Sequence, residues 1–269
     1  MGMCRYFRYT RSAYYKSLQR DEQTAYSEAM ILELVQVERR IQPRLGGKKL
    51  YWMLSSDIGQ IAPHFGRDKF FSLLRRHALL VERKGQYHRT TNSYHHFHKY
   101  CNLIKEMTVL RPNQVWASDI TYLRTGGCFV YLSLITDMYS RKIVGWSLSK
   151  SLGIESSIAA LKKALRGVAL HEPLIHHSDR GVQYCSHDYV KILKKKQIGI
   201  SMTEENHCYE NAMAERVNGI LKDEYLLERT FKDISHAQKA CAEAINLYNT
   251  RRPHWALKLK TPEEVHHAA

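Results

Sequence analysis

Apolar residues recur at helical spacing in the first third of the chain. From Thr24 to Arg40 they fall at Ala25, Ala29, Leu32 and Val35, with Ile41 next, which predicts a helix closed by Pro43. Gly46-Gly47 then marks a turn, Lys48 to Leu54 a second short helix, and Arg67 to Leu79 a third, carried by Phe70, Phe71, Leu73 and Leu74. Three short helices with tight turns and scattered arginines suit two readings equally. One is a helix-turn-helix unit whose last helix enters a DNA major groove; the other is a plain helical domain with a solvated basic face. From Val81 to Cys101 periodicity fades and Arg, His, Gln and Asn dominate, the texture of a linker.

After Arg111-Pro112 the pattern turns to strands. Val115–Leu123, Cys128–Ile135 and Lys142–Ser149 form a predicted meander, with Thr125-Gly126-Gly127 as its first turn. Helices over Ile154–Val168, Tyr189–Lys196, Tyr209–Leu227 and Ile234–Asn249 alternate with short strands at Leu174–His177 and Ile198–Met202. This order predicts an α/β fold, a mixed five-stranded sheet flanked by helices in the ribonuclease-H-like arrangement, preceded by a small all-α region. The expected division is residues 1–80 helical and helix-turn-helix-like, 81–110 a basic linker, and 111–269 the α/β core with its C-terminal helix and tail.

Charge sharpens this picture. Lys and Arg number 41 against 26 Asp and Glu, a formal net charge of +15. Residues 1–110 hold 19 of those cations but only 9 of the acids. Such a surplus in a chain with no long apolar stretch points to a polyanion partner and away from the membrane. With no secretory signal and six scattered cysteines, the chain is expected to be soluble and cytoplasmic, with reduced thiols. His95, His96, His98 and Cys101 are zinc-ligand types, but no second pair lies at finger spacing, and a basic linker suits them better.

Three acidic residues sit where charge is costly or exposed to a ligand. Asp119 interrupts a strand-forming run, on the side of Val115 and Ala117. Asp179 follows the fourth strand, where ligand sites of α/β sheets lie. Glu215 shares a narrow helical arc with Asn211, Asn218 and Lys222, opposite Met213, Val217, Ile220 and Leu227. Each alone has a plain alternative: a buried strand charge, a turn aspartate, a solvated helix face. Together, a strand Asp, a loop Asp and a helix Glu can converge above a sheet as hard oxygen ligands for Mg²⁺ or Mn²⁺. Two such ions about 3.5–4 Å apart suit phosphodiester displacement. Asp137, ending the second strand, reads as a turn residue, and Lys194-Lys195-Lys196 as a phosphate contact or a solvated helix end.

Here the motifs become specific. Trp116-Ala117-Ser118-Asp119-Ile120-Thr121, His177-Ser178-Asp179-Arg180-Gly181-Val182-Gln183-Tyr184 and Asn211-Ala212-Met213-Ala214-Glu215-Arg216 resemble transposases of the retroviral-integrase type, with 35 residues between Asp179 and Glu215. The likeness runs from about Arg111 to Glu264, through Tyr248-Asn249-Thr250-Arg251-Arg252-Pro253-His254 and Thr261-Pro262-Glu263-Glu264. It is nearest to insertion-sequence transposases whose catalytic part is a second reading frame. Arg11-Ser12-Ala13-Tyr14-Tyr15 and Pro43-Arg44-Leu45-Gly46-Gly47-Lys48-Lys49-Leu50 resemble the helix-turn-helix segments of those proteins, although Leu-Gly-Gly-Lys-Lys departs from their usual Tyr/Gly-Tyr-Arg pattern.

The resemblance implies metal ligation by Asp119, Asp179 and Glu215, holding two Mg²⁺ or Mn²⁺ ions. It implies phosphate contact by Lys222; DNA contacts are further expected at Arg251 and Arg252, at Arg216 unless it is a plain surface charge, and at Asn218 unless it positions the glutamate. It implies strand cleavage at element ends and attack by the freed 3′-hydroxyl on a new phosphodiester. The partners would be double-stranded DNA (terminal inverted repeats and target), other copies of the chain, and an upstream-frame DNA-binding product or fusion, since the first-frame leucine-zipper part is absent from this sequence. A nuclease of the same fold without strand transfer, and a non-catalytic DNA-binding regulator derived from a transposase, are the alternatives.

Overall fold

The computed structural model describes residues 10–82, 97–168, 172–204 and 212–268. The chain divides into two compact units, residues 1–84 and 85–269. Among the described residues no helix is long and apolar enough to cross a membrane.

The first unit holds α1 (Arg11–Ile41), α2 (Gly47–Ile61) and α3 (Arg67–Arg76). Its core gathers Ile31 and Val35 of α1, Leu50, Leu54 and Ile58 of α2, and Phe70, Leu73 and Leu74 of α3, closed by Leu45 and Phe65. The guanidinium of Arg39 donates to the carbonyls of Pro43, Leu45 and Leu79, so one side chain ties the α1–α2 turn to the end of the unit. α1 begins at Arg11, well before the expected Thr24. Thr10 caps it, its Oγ1 accepting from Ala13 N at 3.1 Å. Residues 10–26 are all exposed, so that part of the helix carries no apolar stripe for periodicity to detect. α2 runs past Leu54 because Ile58 continues the i, i+4 stripe of Leu50 and Leu54. α3 stops at Arg76, short of Leu79, because Ala78 turns left-handed at φ 52° and Leu79 N bonds back to Leu74 O.

The second unit is built on β1 (Val115–Thr125), β2 (Phe129–Asp137), β3 (Ile143–Ser149), β4 (Ile175–Ser178), β5 (Gly199–Met202) and β6 (Thr230–Phe231), ordered β3-β2-β1-β4-β5 with β6 also on β1. The meander β1–β2–β3 is antiparallel, whereas β4, β5 and β6 add in parallel. The sheet therefore has six strands, not the five expected; β6 is a two-residue pairing too short to leave a pattern. Helices α4 (Ile154–Arg166), α5 (Val182–Cys185, one turn) and α6 (His187–Lys195) belong to one face, and α7 (Ala212–Glu224) and α8 (Ile234–Thr250) to the other. A short α9 (Pro262–His267) ends the unit under a Thr261–Glu264 capping box.

Strand alternation sorts the two cores. Leu123, Val130, Leu132 and Leu134 face Val217, Ile220 and Leu221 of α7 and Ala244, Ile245 and Tyr248 of α8. Trp116 and Ile135 face Ala160, Leu161 and Ala164 of α4 and Tyr189 and Leu193 of α6. Gly145 lets α4 cross β3 closely, since a Cβ there would lie 2.3 Å from Ala160 O and 2.8 Å from Ala164 Cβ.

Residues 97–110, expected as linker, pack on this unit. Phe97 and Tyr100 lie against the α4–α6 core, and Leu103 N donates to Ser201 Oγ at 2.9 Å. His95 and His96 of the weighed zinc cluster lie outside the described residues. Asp137, as expected, is a turn residue: it is fully buried and accepts from Asn113 N, Ser140 N and Ser140 Oγ.

Candidate active site

The parallel pairing of β1 with β4 ends at Ser118 opposite Ser178, and β6 joins β1 only at Arg124. Between them Asp119–Leu123 has no strand on that side among the described residues, while β2 pairs with β1 all along the other. Asp119 is thus the first residue at this notch in β1, and Asp179 the first beyond the end of β4. Two adjacent strands deliver two carboxylates to one level by register alone.

Asp119 is half-buried. Its Oδ1 accepts from Ile120 N at 2.9 Å and its Oδ2 from Asn218 Nδ2 at 2.7 Å. Burial, then the charge of Asp179 and more weakly that of Glu215, push its carboxyl up to about 7, against the pull of Asn218 and the Ile120 amide. Both other carboxylates are therefore near enough to act on Asp119. Asp179 Oδ1 accepts from Gly181 N at 3.0 Å, and a Cβ on Gly181 would stand 2.9 Å from that oxygen, so the turn needs glycine to close on the carboxylate. Arg180 Nε turns away to Thr203 O at 2.7 Å. Glu215 lies in the first turn of α7, exposed.

Among the described residues no three acidic, imidazole or thiol groups stand close enough to enclose a metal ion. The carboxylates are neighbours rather than a closed cage. The donor set nonetheless fits a hard divalent cation: oxygen ligands only, with one carboxyl whose charge its surroundings disfavour and a cation would stabilise.

Beneath the strand ends lies a buried polar layer. His176 Nε2 is 2.6 Å from Ser118 Oγ and 2.9 Å from Tyr189 OH. Burial, helped by neighbouring His177, lowers the His176 pKa to about 3, so the ring stays neutral. His177 Nδ1 pairs with Ser201 Oγ at 2.9 Å. These side chains fasten β4 to β1, β5 and α6 directly under Asp119 and Asp179.

The expected DNA contacts divide. Arg216 and Arg251 are exposed. Lys222 holds its Nζ 4.5 Å from the centre of the Tyr122 ring, and burial lowers its pKa, opposed by the charge of Asp119. Asn218 is buried, with its amide turned inward to Asp119. Arg252 does not share the exposure of Arg251. It is fully buried, its Nε and Nη2 each 2.7 Å from a carboxylate oxygen of Glu224 and its Nη1 3.0 Å from His254 Nε2. Its guanidinium is enclosed by Glu224 and His254. The same motif supplies Asn249, which accepts from Ile143 N and donates to Ile143 O, and Tyr248, which donates to Arg141 O. The Tyr248–His254 run is a knot joining α7, α8 and β3. Asn211 lies outside the described residues. Sequence reasoning missed Tyr122, Tyr189 and Glu224; only their proximity in space gives them a role.

An integrase core domain model matches residues 110–208, and a second integrase core domain model matches residues 196–262. The chain is 33% identical over 256 residues to the insertion element IS600 uncharacterized 31 kDa protein of Shigella sonnei, covering 94% of this chain and 93% of that one. It is 30% identical over 231 residues to transposase InsF for insertion sequence IS3A of Escherichia coli K12, covering 83% and 78%. The integrase fold is shared with a chain of the simian T-cell lymphotropic virus intasome in complex with PP2A regulatory subunit B56 gamma, at TM-score 0.52 and 18% identity over 83% of this chain and 75% of that chain. With the carboxylates at the strand ends and relatives that match nearly its whole length, the chain belongs to the insertion-sequence transposases that carry an integrase core, enzymes that cleave and transfer DNA strands.

Proposed function

We propose that Asp119, Asp179 and Glu215 are the catalytic carboxylates of this transposase and hold two Mg²⁺ or Mn²⁺ ions. The observation that carries the reading is the pair Asp119 and Asp179 at adjoining strand ends, with the α7 that bears Glu215 tied to Asp119 through Asn218. When bound, such ions activate the attacking oxygen and neutralise the leaving one. Asp119 offers its carboxylate from a strand fixed by β2, and Asp179 from a turn closed by the Gly181 amide. Glu215 completes the set from the helix.

In the first step water attacks the phosphorus at an element end, the P–O3′ bond breaks, and the element strand keeps a free 3′-hydroxyl. In the second that hydroxyl loses its proton and its oxygen attacks a target phosphorus, while the target strand's 3′-oxygen leaves and takes up a proton. No bond to the protein is made. Lys222, Arg216 and Arg251 meet phosphates and fix position without reading sequence. The exposed Lys69, Ser72 and Arg75 of α3 meet duplex DNA as the recognition helix of the first unit. The working form is a homo-multimer on paired ends, alone or with an upstream-frame product or fusion.

Cleavage and joining of a labelled oligonucleotide bearing the inverted repeat that flanks the gene tests this reading. Joined product that requires Mg²⁺ and is lost in Asp119→Asn is the expected result. Cleavage without joining would make the chain a nuclease, and tight binding without cleavage, alone or fused upstream, a regulator.

A further inference from the structure

Beyond the carboxylates, the notch in β1 borders an aromatic and basic surface that strand cleavage alone does not explain. Phe129, the first residue of β2, lies opposite Arg124 in register and is 50% exposed. Its ring meets that of Tyr122 edge to face, with centroids 5.3 Å apart. Lys222 crosses from α7 to stand over Tyr122, so its ammonium is held against a ring and does not sweep freely through solvent. Arg124 is exposed, and its charge and that of Asp119 both reach Lys222, as do those of Glu228 and Asp223. Tyr122 stands three residues along β1 from Asp119, about 10 Å or about three nucleotide steps, with its side chain on the other side of the strand by alternation. The two sides meet at the notch, where Lys222 stands over Tyr122 and feels the charge of Asp119.

An aromatic pair flanked by two cations is the chemistry that takes a nucleobase on its π-face and the adjoining phosphate on its cations, with little regard to sequence. We propose that Phe129 and Tyr122, with Lys222 and Arg124, form a subsite that stacks an unpaired base of the DNA strand end about three nucleotides from the phosphate held at Asp119. The proposal rests on the transposase reading. Charge complementarity and continuity with the carboxylates favour DNA as the occupant over a protein partner. In this subsite Lys222 gains a second function: besides meeting phosphate, it stiffens the ring on which the base is stacked.

The test uses the full chain and the same inverted-repeat oligonucleotide, with 2-aminopurine placed singly at each of the positions flanking the cleavage point, in Ca²⁺. Wild-type protein should quench the fluorescence of a probe near the third position. Phe129→Ala should restore that fluorescence and weaken binding about 5- to 150-fold, the range for one stacked base, whereas Phe129→Trp should retain the quench. Tyr122→Ala should act in the same direction, and an unchanged melting temperature of Phe129→Ala would confirm that the effect is local. Quenching and affinity unchanged in Phe129→Ala, with cleavage intact, would overturn the subsite and leave the transposase reading standing. A change in sedimentation of Phe129→Ala without any change in fluorescence would assign the patch to a protein contact and overturn it too. Wild-type protein that neither binds nor cleaves the oligonucleotide would overturn both readings.

Discussion

Asn218 donates its side-chain amide to Asp119 across the gap between α7 and β1, at 2.7 Å. Helix and strand are thereby coupled through the carboxyl group on which the site is centred. The bond favours the charged form of Asp119, which burial and the neighbouring carboxylates oppose. In Asn218→Ala the Asp119 pKa should rise above about 7. Cleavage at fixed pH should then need more Mg²⁺, and the pH profile should move to the alkaline side. A change in DNA affinity alone, with the Mg²⁺ midpoint and pH profile intact, would return Asn218 to the role of a DNA donor.

Asp119 makes the metal-free fold sensitive to pH in a definite direction. Its folded pKa is raised from 3.8 to about 7, so between those values the folded chain keeps a proton that the unfolded chain has released. Metal-free stability therefore falls as pH rises through that window. Asp119→Asn removes the cost. The variant should melt above wild type at pH 8 without metal, with the difference vanishing toward pH 4. Equal melting temperatures throughout would refute the buried, unfavourable charge.

Glu215→Gln should abolish strand cleavage while DNA binding stays near wild type, since Glu215 is exposed and contributes little to packing. Loss of binding and cleavage together would sink its assignment as a metal ligand. Filter binding and cleavage on one oligonucleotide separate the outcomes.

Arg252→Ala should cost about 3–5 kcal/mol, because it strands Glu224 at the end of α7. The double variant Arg252→Met, Glu224→Leu should recover much of that loss in denaturant melts. A surface phosphate contact would show the opposite pattern, weaker DNA binding with unchanged stability.

Gly145→Ala should destabilise by about 1–3 kcal/mol or more, since its Cβ would collide with Ala160 O, a backbone atom of α4. Thermal melting checks it.

Much of the second unit was legible because its elements announce themselves by period: the β-meander, the helix–strand alternation and Asp119 as a charge in a strand. What could not be read depends on contacts distant in sequence. Arg251 and Arg252 are adjacent arginines after a helix, yet one faces solvent and the other is enclosed by Glu224 and His254; nothing local distinguishes them. Asn218 lies on the polar arc of α7 with Glu215 and Lys222, but a wheel treats that arc as one surface. In the fold its Asn218 portion rests on β1. α1 was half hidden for the opposite reason, since residues 10–26 pack against nothing that would impose a stripe.

The notch between β4 and β6 leaves Asp119–Leu123 bonded on one edge only. Along this stretch the amides directed toward β2 are locked in a ladder, while those directed to the notch have no strand partner among the described residues. Hydrogen exchange should therefore be slow at the amides paired with β2 and faster at Tyr122, with Ile120 held back by its bond to Asp119 Oδ1. The carboxylate proposed as catalytic is carried on a rail anchored along a single side, fixed by β2 and open toward the notch.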